Sequence, residues 1–188
     1  EKHWAERAHL LVTDNAATLA DYSEGRARAR RQPGHLIPQG FVPPVQLPVK
    51  SQSRVAAYLG NLHSAIDYEY FGALIRRNPD WIFKLCGQVM TADAQGLLAL
   101  SNVRYQGVIA NDQIAAFLTD ASVGLIPYVR SEWTAGVFPT KLFEYLGHHV
   151  PVLSTSIPEV VRFADRRFVQ ISDEPIDLTP PNFFADEL

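Results

Sequence analysis

The chain has a single cysteine, Cys86, in 188 residues, which excludes an internal disulfide and any multi-cysteine zinc site. It has no apolar run long enough to span a bilayer, although 47% of its residues are hydrophobic. That pairing reads as a soluble globular protein. Charge of one sign is also missing: 17 Lys and Arg stand against 20 Asp and Glu, a net charge of −3. Such a balance gives no general reason to expect a nucleic-acid partner. The adjacent pair His148-His149 lacks metal-ligand spacing to other candidates, so no metal site is expected. Internal repeats and low-complexity tracts are absent. The first residue is Glu1 and nothing near it resembles a signal peptide, so the chain reads as a piece of a longer protein. Cys86 ends the apolar run Trp81-Ile82-Phe83-Lys84-Leu85 and is expected to be an ordinary buried thiol.

What is present is length for one sizeable core, or for one domain and part of another. From Arg54 onward short apolar segments alternate with helical patterns. Strands are expected at Val55 to Leu59, Trp81 to Cys86, Val103 to Tyr105, Ser122 to Pro127, Pro151 to Leu153 and Phe168 to Ile171. Between them lie a helix capped by Asp67 and ending near Arg77, a short helix from Asp112 to Leu118, and one near Pro158 to Phe163. This alternation argues for an α/β fold with a doubly wound, Rossmann-like parallel sheet. Ligands bind beyond the carboxyl ends of the strands in such sheets, and here those ends carry Gly60, Gly87, Gly107 and Pro127.

The first fifty residues differ. Leu10 to Thr13 reads as a strand, and Asp14 or Asn15 caps a helix running to about Tyr22. The basic run Arg26-Ala27-Arg28-Ala29-Arg30-Arg31 reads as a solvated helix end; its sharper alternative is a patch for an anionic membrane surface. Pro43-Pro44-Val45-Gln46-Leu47-Pro48 reads as an extended connector. At the other end, the acidic, proline-bearing stretch Asp173 to Leu188 is expected to be loose.

The stretch that organises the chain runs from Thr134 to Thr155. Small residues lead into a helical pattern beginning at Phe138, with Pro139 in its first turn and Gly147 as its stop. A loop entering a helix start offers free N–H groups and a positive dipole end, which suits an anion. Lys141 and Glu144 lie three apart and so project from one face, serving either a phosphate and a hydroxyl-rich group or only each other as a surface ion pair.

The pattern P-x-K-L-F-E-Y-L-G-x-x-x-P-V-L-S-T-x-x-P-E, from Pro139 to Glu159, resembles the donor-binding segment of GT-B glycosyltransferases that use nucleotide sugars. The resemblance extends over roughly Ala8 to Val169, and Ile37 to Phe41 looks like the point where such chains leave the N-terminal domain, with Gln39 in place of an asparagine. It implies that residues 1–48 are the end of an N-terminal acceptor domain plus linker, 49–172 a nucleotide-sugar-binding domain of GT-B C-terminal type, and 173–188 a tail. Glu144 would accept hydrogen bonds from the donor ribose. Gly87, Gly107, Val108 and Ile109 would border the base, and Tyr128, Thr134, Ala135, Gly136 and Val137 would line the donor.

Two family features are replaced. A glutamate eight positions before Glu144 is Gly136 here, and the basic pair that follows the first strand is Asn61 and Ile66. The sequence Gly60-Asn61-Leu62 followed by Asp67 is similar to a family-four-like branch of bacterial polysaccharide glycosyltransferases. Lys141, Arg130 and His63 are then the candidates for offsetting diphosphate charge.

The resemblance implies a cytoplasmic enzyme, at or near the membrane face, with no cofactor and no metal. Its substrates would be a UDP-, GDP- or TDP-linked sugar and a glycan or lipid-linked acceptor. A non-catalytic nucleotide-sugar-binding module and a GT-B sugar epimerase are the alternatives.

Overall fold

The computed structural model describes residues 7–28, 34–37, 53–164 and 168–179. Two parallel sheets are formed. The smaller pairs β1 (Val12–Thr13) with β2 (His35–Leu36) around α1 (Ala16–Arg28). The larger has six strands: β3 (Val55–Leu59), β4 (Ile82–Cys86), β5 (Val103–Tyr105), β6 (Val123–Ile126), β7 (Val152–Ser154) and β8 (Val169–Ile171). Their order across the sheet is β5-β4-β3-β6-β7-β8, and every pairing is parallel. The chain winds outward from β3 to β5, returns to β6 and winds out the other way. The reversal between β3 and β6 opens the crevice in which doubly wound sheets bind their ligands.

The central strands bury both faces, as a parallel sheet covered on both sides requires. β6 is buried along its whole length, and β3 at all but its last residue. Helix α2 (Tyr68–Arg77) begins where the sequence predicts: the Tyr70 N–H donates to Asp67 Oδ1 at 2.9 Å. It buries Tyr70, Phe71, Leu74 and Ile75 against the sheet. Two helices escape sequence reading, α3 (Ala94–Leu98) and α5 (Glu132–Ala135), because each is shorter than two turns and shows no apolar period. The expected helix from Asp112 splits into a 3₁₀ turn at Asn111–Gln113 and α4 (Ile114–Leu118).

Several expectations at the ends change. Asn15, not Asp14, caps α1: its Oδ1 accepts the Thr18 N–H at 2.8 Å, and the helix runs six residues past Tyr22 to Arg28. Arg26 is buried and donates to the Ala8 carbonyl at 3.1 Å, so the basic run does not begin as a solvated helix end. Residues 29–31 of that run, the proline-rich connector and Gln39 lie outside the described residues.

The expected loose tail is packed over its described part. Asn78 Nδ2 donates to the Ile176 carbonyl at 2.9 Å, its Oδ1 accepts the Leu178 N–H at 2.7 Å, and Arg77 pairs with Asp177 at 2.9 Å. Ile176 and Leu178 supply the apolar contact that holds this stretch on the core, and acidic neighbours did not reveal it. Among the described residues no helix is long and apolar enough to cross a membrane.

Candidate functional site

The carboxyl ends of β3, β4 and β5 are stitched together by their turn residues. The Gly60 N–H donates to the Cys86 carbonyl at 3.1 Å, Gly87 N–H to the Gly107 carbonyl at 2.8 Å, and Leu62 N–H to the Gln88 carbonyl at 2.8 Å. Gly87 has φ +124°, and a Cβ there would lie 2.1 Å from the Gly60 carbonyl oxygen, so only glycine lets the two turns cross. Tyr105 adds a hydroxyl bond to the Gly87 carbonyl at 2.6 Å. Asn61 is part of the same stitching, since its Oδ1 accepts the Gln88 N–H at 3.0 Å. Ile66 is core. The two positions at which the resemblance implies a basic pair therefore hold the fold here.

Across the crevice stands α6 (Lys141–Gly147). It starts later than the sequence suggests: Thr140 is its cap and Pro139 precedes the helix. The residues before it are less of a loop than their small side chains imply. Ser131 caps α5 through the Thr134 N–H at 3.2 Å, and the Thr134 hydroxyl, itself buried, donates to the Val129 carbonyl at 2.6 Å.

The helix start is also less open to an anion than expected. The Leu142 and Phe143 N–H groups donate to the Pro139 and Thr140 carbonyls at 2.9 and 3.1 Å. Positive charge at the crevice comes from the lysine side chain.

Lys141 does not pair with Glu144. Its Nζ reaches back over the sheet, donating to the Tyr58 hydroxyl at 3.1 Å and lying 4.3 and 4.8 Å from the ring centres of Tyr58 and Tyr128. The Tyr58 hydroxyl in turn donates to the Asn61 carbonyl at 2.8 Å. The bare Gly60 makes room, since a Cβ there would sit 3.0 Å from Nζ.

Burial works against charge on the phenols, the thiol and the imidazole around this amine. Burial raises the Tyr58 phenol well above its usual range, pushes Tyr128 up to about 12 and the Cys86 thiol up to about 11. His63, edge-on to Tyr128 at 5.7 Å, is lowered by burial and then by the lysine charge. The amine itself is pushed down to about 7 by burial. No ion pair among the described residues involves it. A cation at the switch point of the sheet, among neutral phenols, has a strong preference for an incoming anion.

Of the sequence candidates, Gly60, Asn61, His63, Gly87, Gly107, Tyr128 and Lys141 are thus brought together. Val108 is exposed beside Ile109, just past Gly107 beyond the end of β5. Arg130 pairs with Asp173 at 3.1 Å, which also accepts the Ser156 N–H and hydroxyl. Glu144 keeps its carboxylate partly exposed, 3.8 Å from His148 Nδ1. Sequence reading missed Tyr58, which looks like any strand aromatic, and Trp133. The latter is 62% exposed and, with Ser64, Ala65, Val129 and Ser131, lines a cavity of about 290 Å³ beside the crevice.

Comparison with known proteins agrees with this picture. Residues 53–178 match the family described as Glycosyl transferases group 1. TuaH of Bacillus subtilis (strain 168), named for teichuronic acid biosynthesis, is 28% identical over 192 residues, covering 92% of this chain and 48% of its own length. The chain thus spans about half of that curated relative. TarM superposes with a TM-score of 0.67 at 12% identity, over 93% of this chain and 35% of TarM. HepE of Anabaena, in complex with UDP and glucose, gives 0.65 at 14% identity, over 92% and 52%. These two likenesses are of fold: the six-stranded parallel sheet matches GT-B glycosyltransferase structures. By the family match over most of its length, the chain belongs to the group 1 glycosyl transferases.

Proposed function

We propose that residues 53–178 bind the nucleoside diphosphate of a sugar donor, as one half of a glycosyltransferase acting in polysaccharide or glycolipid synthesis. The observation that carries this reading is Lys141 Nζ, uncompensated by any carboxylate of the described residues, at the reversal of strand order. In this reading Lys141 meets phosphate, Glu144 takes the ribose hydroxyls, and the turns at Gly87 and Gly107 to Ile109 lie along the base. Offsetting charge on a leaving diphosphate with a fixed, desolvated cation is a large catalytic term. The acceptor, glycan or lipid-linked, is presented from the other half, of which β1, α1 and β2 are the end. A UDP-, GDP- or TDP-linked sugar serves as substrate without a cofactor. The membrane-facing location remains part of the proposal, since a lipid-linked acceptor would require it.

Calorimetric titration with UDP, GDP and TDP, each against its nucleoside, tests the reading. One diphosphate should bind at least tenfold tighter than its nucleoside. Equal binding of both, or none, removes the donor assignment. The same titration separates this reading from a module that holds no nucleotide.

A pH dependence follows from the lysine. With a pKa of about 7 in the free chain, the amine is half neutral at pH 7 and must take up a proton to meet phosphate above that. Diphosphate affinity should fall roughly tenfold between pH 7 and 8.5, a window in which the phosphate charge is already constant because its second pKa is about 6. The unfolded chain holds this proton up to its ordinary value of 10.5, so the buried amine lowers stability most at the acid end. Diphosphate should therefore raise Tm more at pH 6.5 than at pH 9. A flat affinity profile from pH 7 to 8.5 excludes Lys141 as the phosphate partner.

A further inference from the structure

Helix α1 does not stand clear of the larger sheet. Asn15, 1% exposed, holds two things at once. Its Oδ1 caps α1 through the Thr18 N–H at 2.8 Å, and its Nδ2 donates to the Ala135 carbonyl at 3.2 Å, 120 residues away. One residue on, the Ala16 N–H donates to Glu159 Oε1 at 2.7 Å. Glu159 lies in α7 (Pro158–Val161), is 1% exposed, and its other oxygen accepts from Arg162 at 2.7 Å. The open start of α1 is therefore filled by a carboxylate of the larger domain, and the cap residue grips the end of α5.

α5 is four residues long, and a helix that short does not hold itself in water. Its shape rests on three tethers: the Ser131 cap, the Thr134 hydroxyl on Val129, and Asn15 on Ala135. Thr18 closes the contact, with its Oγ1 3.9 Å from where a Cβ would stand on Gly136. The first two tethers are local. Only the third comes from the N-terminal unit.

We propose that Asn15, seated by Glu159, is a positioning residue through which the β1–α1–β2 unit fixes residues 132–137 in the conformation that receives a nucleoside diphosphate sugar. This rests on the donor reading above. The N-terminal unit thereby shapes the donor loop directly, and a displacement of α1 changes that loop before it changes the sheet. Buried polar groups that are fully bonded behave as a unit, so loss of one bond is felt along the network.

The test separates the cap from the tether. Asn15→Asp keeps the acceptor for Thr18 but sets an oxygen against the Ala135 carbonyl; Asn15→Ser keeps a cap oxygen and is too short to reach Ala135. Asn15→Ser should lower Tm only slightly, and Asn15→Asp further, because it sets a buried carboxylate against a carbonyl oxygen. Amide hydrogen exchange at residues 132–137 should rise at least tenfold, with β3, β4 and β6 unchanged. Whichever of UDP, GDP or TDP binds, its glucose conjugate should lose at least fivefold in affinity, while the nucleoside keeps its own. Glu159→Ala, which frees α1, should loosen the same amides at a lower Tm.

Unchanged exchange at 132–137 in both Asn15 variants overturns the tether. Faster exchange with unaltered affinity for the glucose conjugate overturns its role toward the donor. If the unaltered chain binds no nucleotide, the donor reading falls and takes that role with it. The two failures are distinguishable because the exchange response is read without any ligand.

Discussion

Replacing Lys141 with Met is expected to weaken nucleoside diphosphate binding by roughly ten- to a hundredfold while leaving nucleoside binding nearly intact. Hydrogen bonds to charged groups are worth about 1.5–3 kcal/mol, and each 1.4 kcal/mol is tenfold in affinity. The fold should not suffer, for two reasons visible around the amine. Met fills nearly the same volume between Tyr58 and Tyr128. The Tyr58 hydroxyl keeps its acceptor, the Asn61 carbonyl, so no buried donor is orphaned. Removing a desolvated charge should leave Tm unchanged or raise it.

Glu144→Gln is the companion variant. It keeps shape and loses the charged acceptor, so diphosphate and nucleoside should both weaken by about tenfold, because ribose is common to the two. The pattern matters more than either number: phosphate-dependent loss in one variant, phosphate-independent loss in the other. Unchanged diphosphate affinity in both, with the fold intact, would sink the site assignment and leave the family membership standing.

Gly124→Ala is expected to cost about 3 kcal/mol, lowering Tm by roughly 6–12 °C for a chain of this size. Gly124 lies in the middle of β6, and the ring of Tyr145 lies flat on it. A Cβ would sit 2.4–2.6 Å from three ring carbons. The ring cannot retreat cheaply, because Tyr145 is fully buried and its hydroxyl is fixed from two strands. That oxygen accepts the Leu59 N–H at 2.8 Å and lies 3.3 Å from the Ala57 and Leu125 carbonyls, to which it can donate. Shifting the ring by a carbon's width breaks these bonds and leaves buried polar groups unpaired.

A second substitution checks the cause. Tyr145→Leu removes both ring and hydroxyl, and its cost should overlap with that of Gly124→Ala, so the double variant loses less than the sum. Strict additivity in thermal melts would place the strain elsewhere. The same packing fixes α6 on the sheet. Loss of the Tyr145 contact should therefore also weaken diphosphate binding through Lys141, which starts the helix.

Much of this could be read along the chain. Alternating apolar strands and capped helices fix their own identity locally, and a parallel, doubly wound sheet is what such an alternation packs into. Asp67 and Gly87 announce their turns because capping and left-handed backbone are local chemistry. The motif around Lys141 and Glu144 carried the family. Its partners could not be read there. Lys141 and Glu144 look like a surface pair at helical spacing, yet the lysine lies over the rings of Tyr58 in β3 and Tyr128 just past β6.

Composition likewise misjudged both ends. Arginines in a run suggest solvent, yet Arg26 turns inward to the Ala8 carbonyl. An acidic tail suggests looseness, yet Asn78 fastens Ile176 and Leu178 to α2. Arg130, a candidate for phosphate or a plain surface arginine in the sequence, pairs with Asp173, 43 residues on.

By itself, then, the sequence determined the class of fold, the family and the helix from which charge enters the crevice, since each depends on residues within a turn or two of one another. Only the tertiary structure decided where Lys141 points, that Asn61 and Ile66 hold the fold, and that Asn15 and Glu159 join α1 to α5 and α7. Those contacts reach across as many as 143 residues of chain. Their chemistry exists only after the sheet has brought the strand ends together, and no local pattern records which distant carbonyl or ring a side chain will find.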